Sequence, residues 1–415
     1  MKQTKLFVVI LAVFILLTGC SEGSNVSGHE PITDELISIL AENPALKELL
    51  ITSIELAKEI NPDKNTNPAQ TLDEYYVYLD RSVKAMPWNV LNDAEYPAIF
   101  EQVDQSLDYF YFILDQPLTE LFDKGYYYNS LQYVPELQPW IVNYCKAWGS
   151  YLSTEESWND EYYELMRQEP RFNLDKGWYE DSSNWKTWND FFARRLSSPA
   201  VRPIASPEDN SVVAAPADSE PQGVWRIDED SYIVSEVLIK STQFSSIAGL
   251  LGNSEYKDVF AGGVLTHTFL NVDDYHRFHF PVSGTVKEVN IIPAQDAAGG
   301  LTVWDASKGR YILYASEFGW QTIETRGCVI IETKEYGHVA VLPVGMSQIS
   351  SVVFEESVKA GAEVKKGDML GCFLFGGSDI VMLFEKQAGF EITAPQSGGG
   401  YSHLLMGQEY GRFHK

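Results

Sequence analysis

At 415 residues and 46.8 kDa the chain is long enough for two or three ordinary domains and a large core. Hydrophobic residues at 45% with only 21% charged exclude a largely disordered polymer, and four cysteines exclude a disulfide-dense scaffold. Thirty-one Lys and Arg against 58 Asp and Glu leave a formal charge of −27, which repels phosphate backbones and resists docking on anionic lipid, so no nucleic-acid partner is expected.

The chain opens with a positive segment, Lys2 and Lys5, and a continuous apolar run, Leu6–Leu17. The run is short for a membrane span and suits the core of a signal peptide. It ends in Leu17-Thr18-Gly19-Cys20, which resembles a bacterial lipobox, with Cys20 as the lipidated residue after cleavage. The competing reading is a membrane-anchoring helix that keeps its cysteine. The expected organisation is therefore a signal peptide over 1–20 and a Ser/Gly-rich tether over 21–32. A lipoprotein on the outer side of the bacterial cell membrane, or in the periplasm, follows from that reading. The three other cysteines, Cys145, Cys328 and Cys372, are an odd set without paired spacing, so no disulfide is expected.

Asp34–Ile60 carries apolar residues at three- and four-residue spacings, and Asn43-Pro44 inside it has the form of a cap followed by a first-turn proline. Two helices are predicted there, opening a helical domain over 33–188. Aromatic residues are dense from Leu72 to Trp188, among them Tyr75, Tyr78, Trp88, Tyr109, Trp140, Trp148 and Trp185. They stock a helical core, and some of them are candidates to wall a pocket. Beyond about residue 200 the texture changes to short, β-branched, turn-bounded runs. Strands are predicted at Val212–Ala214, Val264–Leu270, Gly284–Ile292, Tyr311–Ala315, Cys328–Thr333, Val339–Val344 and Met369–Phe375. The fold class expected is α+β, with a β-rich domain over 189–415.

Three features carry potential chemistry. Asp274-Tyr275-His276-Arg277-Phe278-His279 is the densest cluster of acid–base groups. Its histidines are open to three readings: a metal pair lacking an evident third ligand, ordinary strand histidines, or a general base near neutral pH. Gly376-Gly377-Ser378 places two unhindered residues before a hydroxyl, as an attack by Ser378 Oγ on the Gly377 carbonyl requires, although Gly-Gly-Ser is also a common turn. Ala214-Ala-Pro-Ala-Asp218 sets a carboxylate after a strand.

Taken in this order, with Asn189-Asp-Phe-Phe-Ala-Arg-Arg-Leu196, Arg202-Pro-Ile204, Pro281–Val286, Val341–Val344 and Lys366–Phe384, these stretches resemble the pyruvoyl-dependent phosphatidylserine decarboxylase family over roughly residues 188–390. The helical part resembles the extra N-terminal domain of one branch, which contains free-amino-acid decarboxylases. The resemblance implies a self-processing triad: Asp218 orients His279, and His279 takes the proton from Ser378. The oxygen attacks Gly377, and elimination leaves a pyruvoyl group at 378, the self-made cofactor. A β chain ending at Gly377 and an α chain of residues 378–415 would then form a heterodimer. The pyruvoyl ketone captures the substrate amine, and His276 takes the place of the histidine tied to substrate handling and protonation. No metal is implied.

The sequence departs from the family pattern at four positions. Asp379 stands where Thr or Ser is usual, a carboxylate able to repel the developing oxyanion or to accept a proton; Ser219, Phe280 and Ser283 replace the common Gly, Ser and Asp. A reading of another class, a non-enzymatic adaptor lipoprotein, rests on lipoyl-like turns at Gly361–Leu370 and Ala394–Gly398, without a modification site or a long heptad hairpin. For the substrate, the family name and the anchor put phosphatidylserine first, converted to phosphatidylethanolamine and CO₂. The acidic charge and the aromatic-rich helical part put a free aromatic amino acid close behind.

Overall fold

The computed structural model describes residues 28–91, 96–234, 242–346 and 352–414. Cys20, the signal segment and tether residues 21–27 lie outside the described residues. The first helices are α1 (Pro31–Glu42) and α2 (Pro44–Ile60), separated at Asn43. Asn43 Oδ1 accepts from the Leu46 amide at 3.1 Å, satisfying a free helix-end donor, and Pro44 fills the position that needs none. Helix α1 begins three residues ahead of the predicted Asp34, because Pro31 supplies the same first-turn start there. Further along come α3 (Leu72–Ser82), α4 (Ile99–Leu114), α5 (Gln138–Tyr151), α6 (Asp160–Arg167) and α7 (Trp188–Phe192). A reciprocal Thr187–Asp190 capping box starts α7.

The strands are β1 (Val212–Ala214), β2 (Glu220–Ile227), β3 (Ile233–Val234), β4 (Val264–Leu270), β5 (Arg277–His279), β6 (Gly284–Ile292) and β7 (Leu301–Asp305). Then follow β8 (Arg310–Tyr314), β9 (Arg326–Glu332), β10 (His338–Met346), β11 (Val352–Phe354), β12 (Glu363–Val364), β13 (Met369–Phe373) and β14 (Gly377–Phe384). An eight-stranded antiparallel sheet runs β12-β6-β9-β10-β14-β4-β2-β3, and β11-β13-β5 forms a smaller one beside it. The class is α+β.

Strand β14 is buried along its whole length, between β10 and β4. Its run Ile-Val-Met-Leu-Phe is apolar on both faces because both faces are covered. Ile380, Met382 and Phe384 join a core that continues into the helices. Val381 and Leu383 join a second core with Leu265, Leu342, Val344 and Trp320 on the other side of the sheet. The helices thus pack mainly against the Ile380 face, while Tyr127 and Tyr133 from the same region reach the core on the other.

Polar stitches reinforce that seam. Gln105 pairs with both backbone groups of Tyr311, its Oε1 accepting from the amide at 2.6 Å and its Nε2 donating to the carbonyl at 3.0 Å. The Asp115 carboxylate accepts from the Thr302 amide at 2.7 Å and from Ser130 and Gln132. The aromatics of the helices are mostly core: Tyr75, Tyr109, Trp140 and Tyr144 are buried, and Phe110 stacks on Tyr144 at 4.5 Å. No helix among the described residues is long and apolar enough to cross a membrane.

Candidate active site

Ser378 enters the site as the second residue of β14, opposite Leu270 of β4 and Gly345 of β10. It is completely buried. The turn before it bends at Gly376, whose φ of 143° is open to glycine and strained for any residue with a Cβ. Phe375 is pinned there, its amide donating to Asn189 Oδ1 at 2.9 Å and its ring set against Trp148, Trp188 and Phe192. The aromatic residues of the helical region thus hold Phe375, three residues before the reacting serine.

His276 is the histidine on Ser378. Its Nδ1 lies 3.4 Å from Ser378 Oγ, long for a hydrogen bond but within the range that tightens when a base acts. Its Nε2 faces the Asn271 carbonyl at 3.0 Å and must carry the proton, which leaves the Nδ1 lone pair towards the hydroxyl. The ring stacks on Phe192, centroid to centroid 3.8 Å. Burial, followed by the nearby Arg194 charge, brings its pKa down to about 3, so it is neutral at ordinary pH.

His279 is turned elsewhere. Three positions apart on an extended chain, the two histidines project to opposite sides. His279 Nδ1 donates to the Gly367 carbonyl at 2.9 Å and Nε2 accepts from the Tyr275 hydroxyl at 3.1 Å. Burial holds its pKa down to about 4, against the opposing pull of the Gly367 carbonyl and the Asp218 charge. Asp218 makes a bidentate pair with Arg202, at 3.1 and 2.7 Å, and accepts from the Met406 amide at 2.7 Å. His279, Tyr275 and Arg202 line a common cavity of about 450 Å³. The structure thus brings Ser378 and His276 together, and sets His279 on a separate cavity with Asp218 behind its Arg202 wall, rather than in a hydrogen-bonded line to Ser378.

Asp379 is not beside the reacting carbonyl. Strand alternation points it to the opposite face from Ser378, where its Oδ2 meets His267 Nδ1 at 2.8 Å with both side chains fully buried. Asp379 Oδ1 and His267 Nε2 have no partner among the described residues. Ser219 accepts from Thr268 Oγ1 at 2.8 Å, and Ser283 accepts from the Lys366 amide at 2.9 Å, so both replacements serve local backbone and strand contacts. Among the described residues no three His, Cys, Asp or Glu side chains gather to hold a metal ion.

Arg194 and Asp274 also hold the site, with no role assigned from sequence although both lie in the stretches quoted there, and so does His403, which the sequence reading missed. Arg194 Nη2 donates to the carbonyls of Asp273 and Asp274, both at 2.9 Å, fixing the turn that carries His276. Asp274 Oδ2 takes the Asn271 amide at 2.8 Å while its Oδ1 meets His403 Nε2 at 2.8 Å. Burial raises Asp274 to about 6, and the His403 bond opposes it. Arg194 sat inside a stretch already singled out, whereas His403 is a lone histidine 129 residues from its partner, with no local signal.

Comparison with known proteins bears on this site. A family model described as phosphatidylserine decarboxylase matches residues 188–412. Phosphatidylserine decarboxylase proenzyme 2 of rice (Oryza sativa subsp. japonica) is 34% identical over 252 residues, 60% of this chain and 37% of that protein. Decarboxylase iboD of Amanita muscaria is 28% identical over 295 residues, 65% of this chain and 82% of that protein. A Chlamydia trachomatis phosphatidylserine decarboxylase proenzyme is 30% identical over 232 residues, 55% of this chain and 70% of that protein. The match spans little more than a third of the rice relative. The Amanita match is longer than the stretch from residue 188 to the C-terminus, so it reaches into the helical region.

Proposed function

The chain belongs to the phosphatidylserine decarboxylase family, a family of carboxy-lyases, and from that premise we propose that it is a pyruvoyl-dependent decarboxylase made by self-cleavage between Gly377 and Ser378. The observation that carries this reading is Ser378 on a buried strand directly after a glycine turn at φ 143°; His276, 3.4 Å from its Oγ, is placed to serve the later decarboxylation. The family membership removes the support for the adaptor reading.

The site fits the group. Residue 378 is enclosed, and Gly376, two residues before it, takes a backbone shape closed to side chains. A pyruvoyl group there would supply a carbonyl that accepts the electrons left by departing CO₂. The chain's own part is to exclude water with Phe375, Trp148, Trp188 and Phe192, and to hold a proton carrier at His276. His276 keeps its Nδ1 lone pair on residue 378 and is assigned to take the proton that the substrate ammonium gives up and to return it to the substrate carbon. Cutting is assigned, from the resemblance, to Asp218, His279 and Ser378. For that step His279 must leave Tyr275 and Gly367 and turn towards Ser378, or the glycine turn must move to it.

For the substrate, the enclosure of residue 378 beneath the aromatic helices favours a free amino acid over a two-chained lipid, and so does the acidic surface. The order expected from the sequence is thereby reversed. Phosphatidylserine is the second reading, supported by the names of the rice and Chlamydia relatives. Release of CO₂ should be measured from tryptophan, tyrosine and phosphatidylserine vesicles with one preparation. Turnover of a free amino acid is expected; turnover of vesicles alone would reinstate the lipid. Lipidation at Cys20, and with it a membrane-held enzyme outside the cell membrane, completes the proposal.

A further inference from the structure

On the face of the sheet away from Ser378, a cavity of about 480 Å³ opens between α4 and the β7–β8 hairpin. Its wall includes Phe269, which stands opposite Asp379 in the β4–β14 ladder, together with Ile312, Leu313 and Tyr314. Two carboxylates face it, Asp104 and Asp108, one turn apart on α4. Arg310 reaches Asp104 at 3.4 Å and Glu101 at 3.2 Å, so its charge is already engaged. Asp108 differs. It is 5% exposed and takes no hydrogen bond or ion pair from any described residue. Tyr96 Oη, near enough for both carboxylates to act on it, is also buried without a partner.

A lone buried carboxylate costs several kcal/mol unless it is neutralised or paired. Burial, and then the Asp104 charge, hold Asp108 well above the usual carboxylate range against the pull of Arg310. The room beside it is the size of a small-molecule site. A metal ion lacks a third ligand among the described residues, and the two cations of the lining are already paired against an incoming anion, Arg310 with Glu101 and Asp104 and Lys308 with Asp305. What remains is a cation with an apolar body.

We propose that this cavity binds a small organic monoamine, its ammonium on Asp108 and its apolar part against Phe269 and Leu313. None of the lining residues is Ser378, His276 or His279, so the inference stands apart from the decarboxylase reading. Amines are nonetheless the class of product that an amino acid leaves on losing CO₂, which would make the site a place for product to act.

Calorimetric titration of 2-phenylethylamine into the full-length Ser378→Ala chain tests it, because that chain has no ketone to capture an amine covalently. Saturable one-to-one binding is expected, at least tenfold weaker in an added Asp108→Asn substitution and for the neutral isostere 2-phenylethanol. Asp108→Asn keeps the shape of a side chain that has no protein partner to lose and should fold; Ser316→Trp, at the exposed rim, should block entry with Asp108 intact and gives the same loss by another route. Binding of the alcohol as tight as the amine, undiminished binding in both variants, or no binding would overturn the proposal. Should Ser378→Ala still be cut, the decarboxylase reading fails while the cavity result stands.

Discussion

Ser378, His276 and His279 divide the chemistry by direction rather than by distance along the chain. His276 touches residue 378, whereas His279 faces Tyr275 and Gly367. His276→Ala is expected to leave cutting intact and to reduce CO₂ release by about 10²-fold or more, the usual worth of a positioned acid–base group. His279→Ala should leave one uncut chain on a denaturing gel. The opposite pair of results would exchange the two roles. Asp379 yields a separate expectation. Its pair with His267 is sealed on the far face of β14, so Asp379→Ala strands His267 and should cost about 3–5 kcal/mol in denaturant unfolding. Its effect on cutting should be small, because the side chain is not on the reacting face.

At the scale of elements, β14 decides what happens after the cut. Its residues 378–384 lie between β10 and β4 with every side chain buried, so the new C-terminal fragment is bound as the middle of a sheet. His403 on Asp274, the Met406 amide on Asp218 and Leu404 paired with Ser219 tie the rest of that fragment to the larger one. The two pieces should co-elute in native gel filtration and separate only in denaturant. Ile380→Ala, a core truncation in this strand, should cost about 2–5 kcal/mol. Much of the architecture was legible in the sequence at this scale. The Asn43-Pro44 break and the strands Val212–Ala214, Val264–Leu270 and Gly284–Ile292 fall where apolar spacing and turn residues put them. Strand β14 was not, because Gly377-Ser378-Asp379 reads as a turn and only tertiary burial makes it a strand. The reacting residues were likewise visible as motifs. Which histidine faces which partner was not, since that depends on strand direction and on Gly367, Tyr275 and Asn271, contacts that no spacing encodes.

For the whole molecule, pH is a second handle. His276 and His279 have folded pKa values of about 3 and 4, below the ordinary 6.5, so folding favours their neutral forms. Their contribution is complete above pH 6.5 and is lost as the pH falls towards those values. Asp115 acts in the other direction: burial raises it to about 8, so its contribution is present at low pH and is lost as the pH rises through 8. Because buried histidines and buried carboxyls pull in opposite directions between pH 7 and pH 5, the histidine part is read by difference: on going from pH 7 to pH 5 the melting temperature of His279→Gln should gain relative to the unsubstituted chain. Cys20→Ser should release the protein from membranes or leave the precursor uncleaved. For a free amino acid the released enzyme should keep its rate.

Intact mass analysis of the purified chain, beside its Ser378→Ala variant, bears on the whole mechanism at once. The wild type should show two pieces, the smaller beginning at residue 378, blocked to Edman degradation and reactive towards a carbonyl reagent, and it should release CO₂. Ser378→Ala should remain one inactive chain. A wild type that decarboxylates uncut, or a Ser378→Ala chain with full activity, would contradict self-cleavage and the pyruvoyl group together.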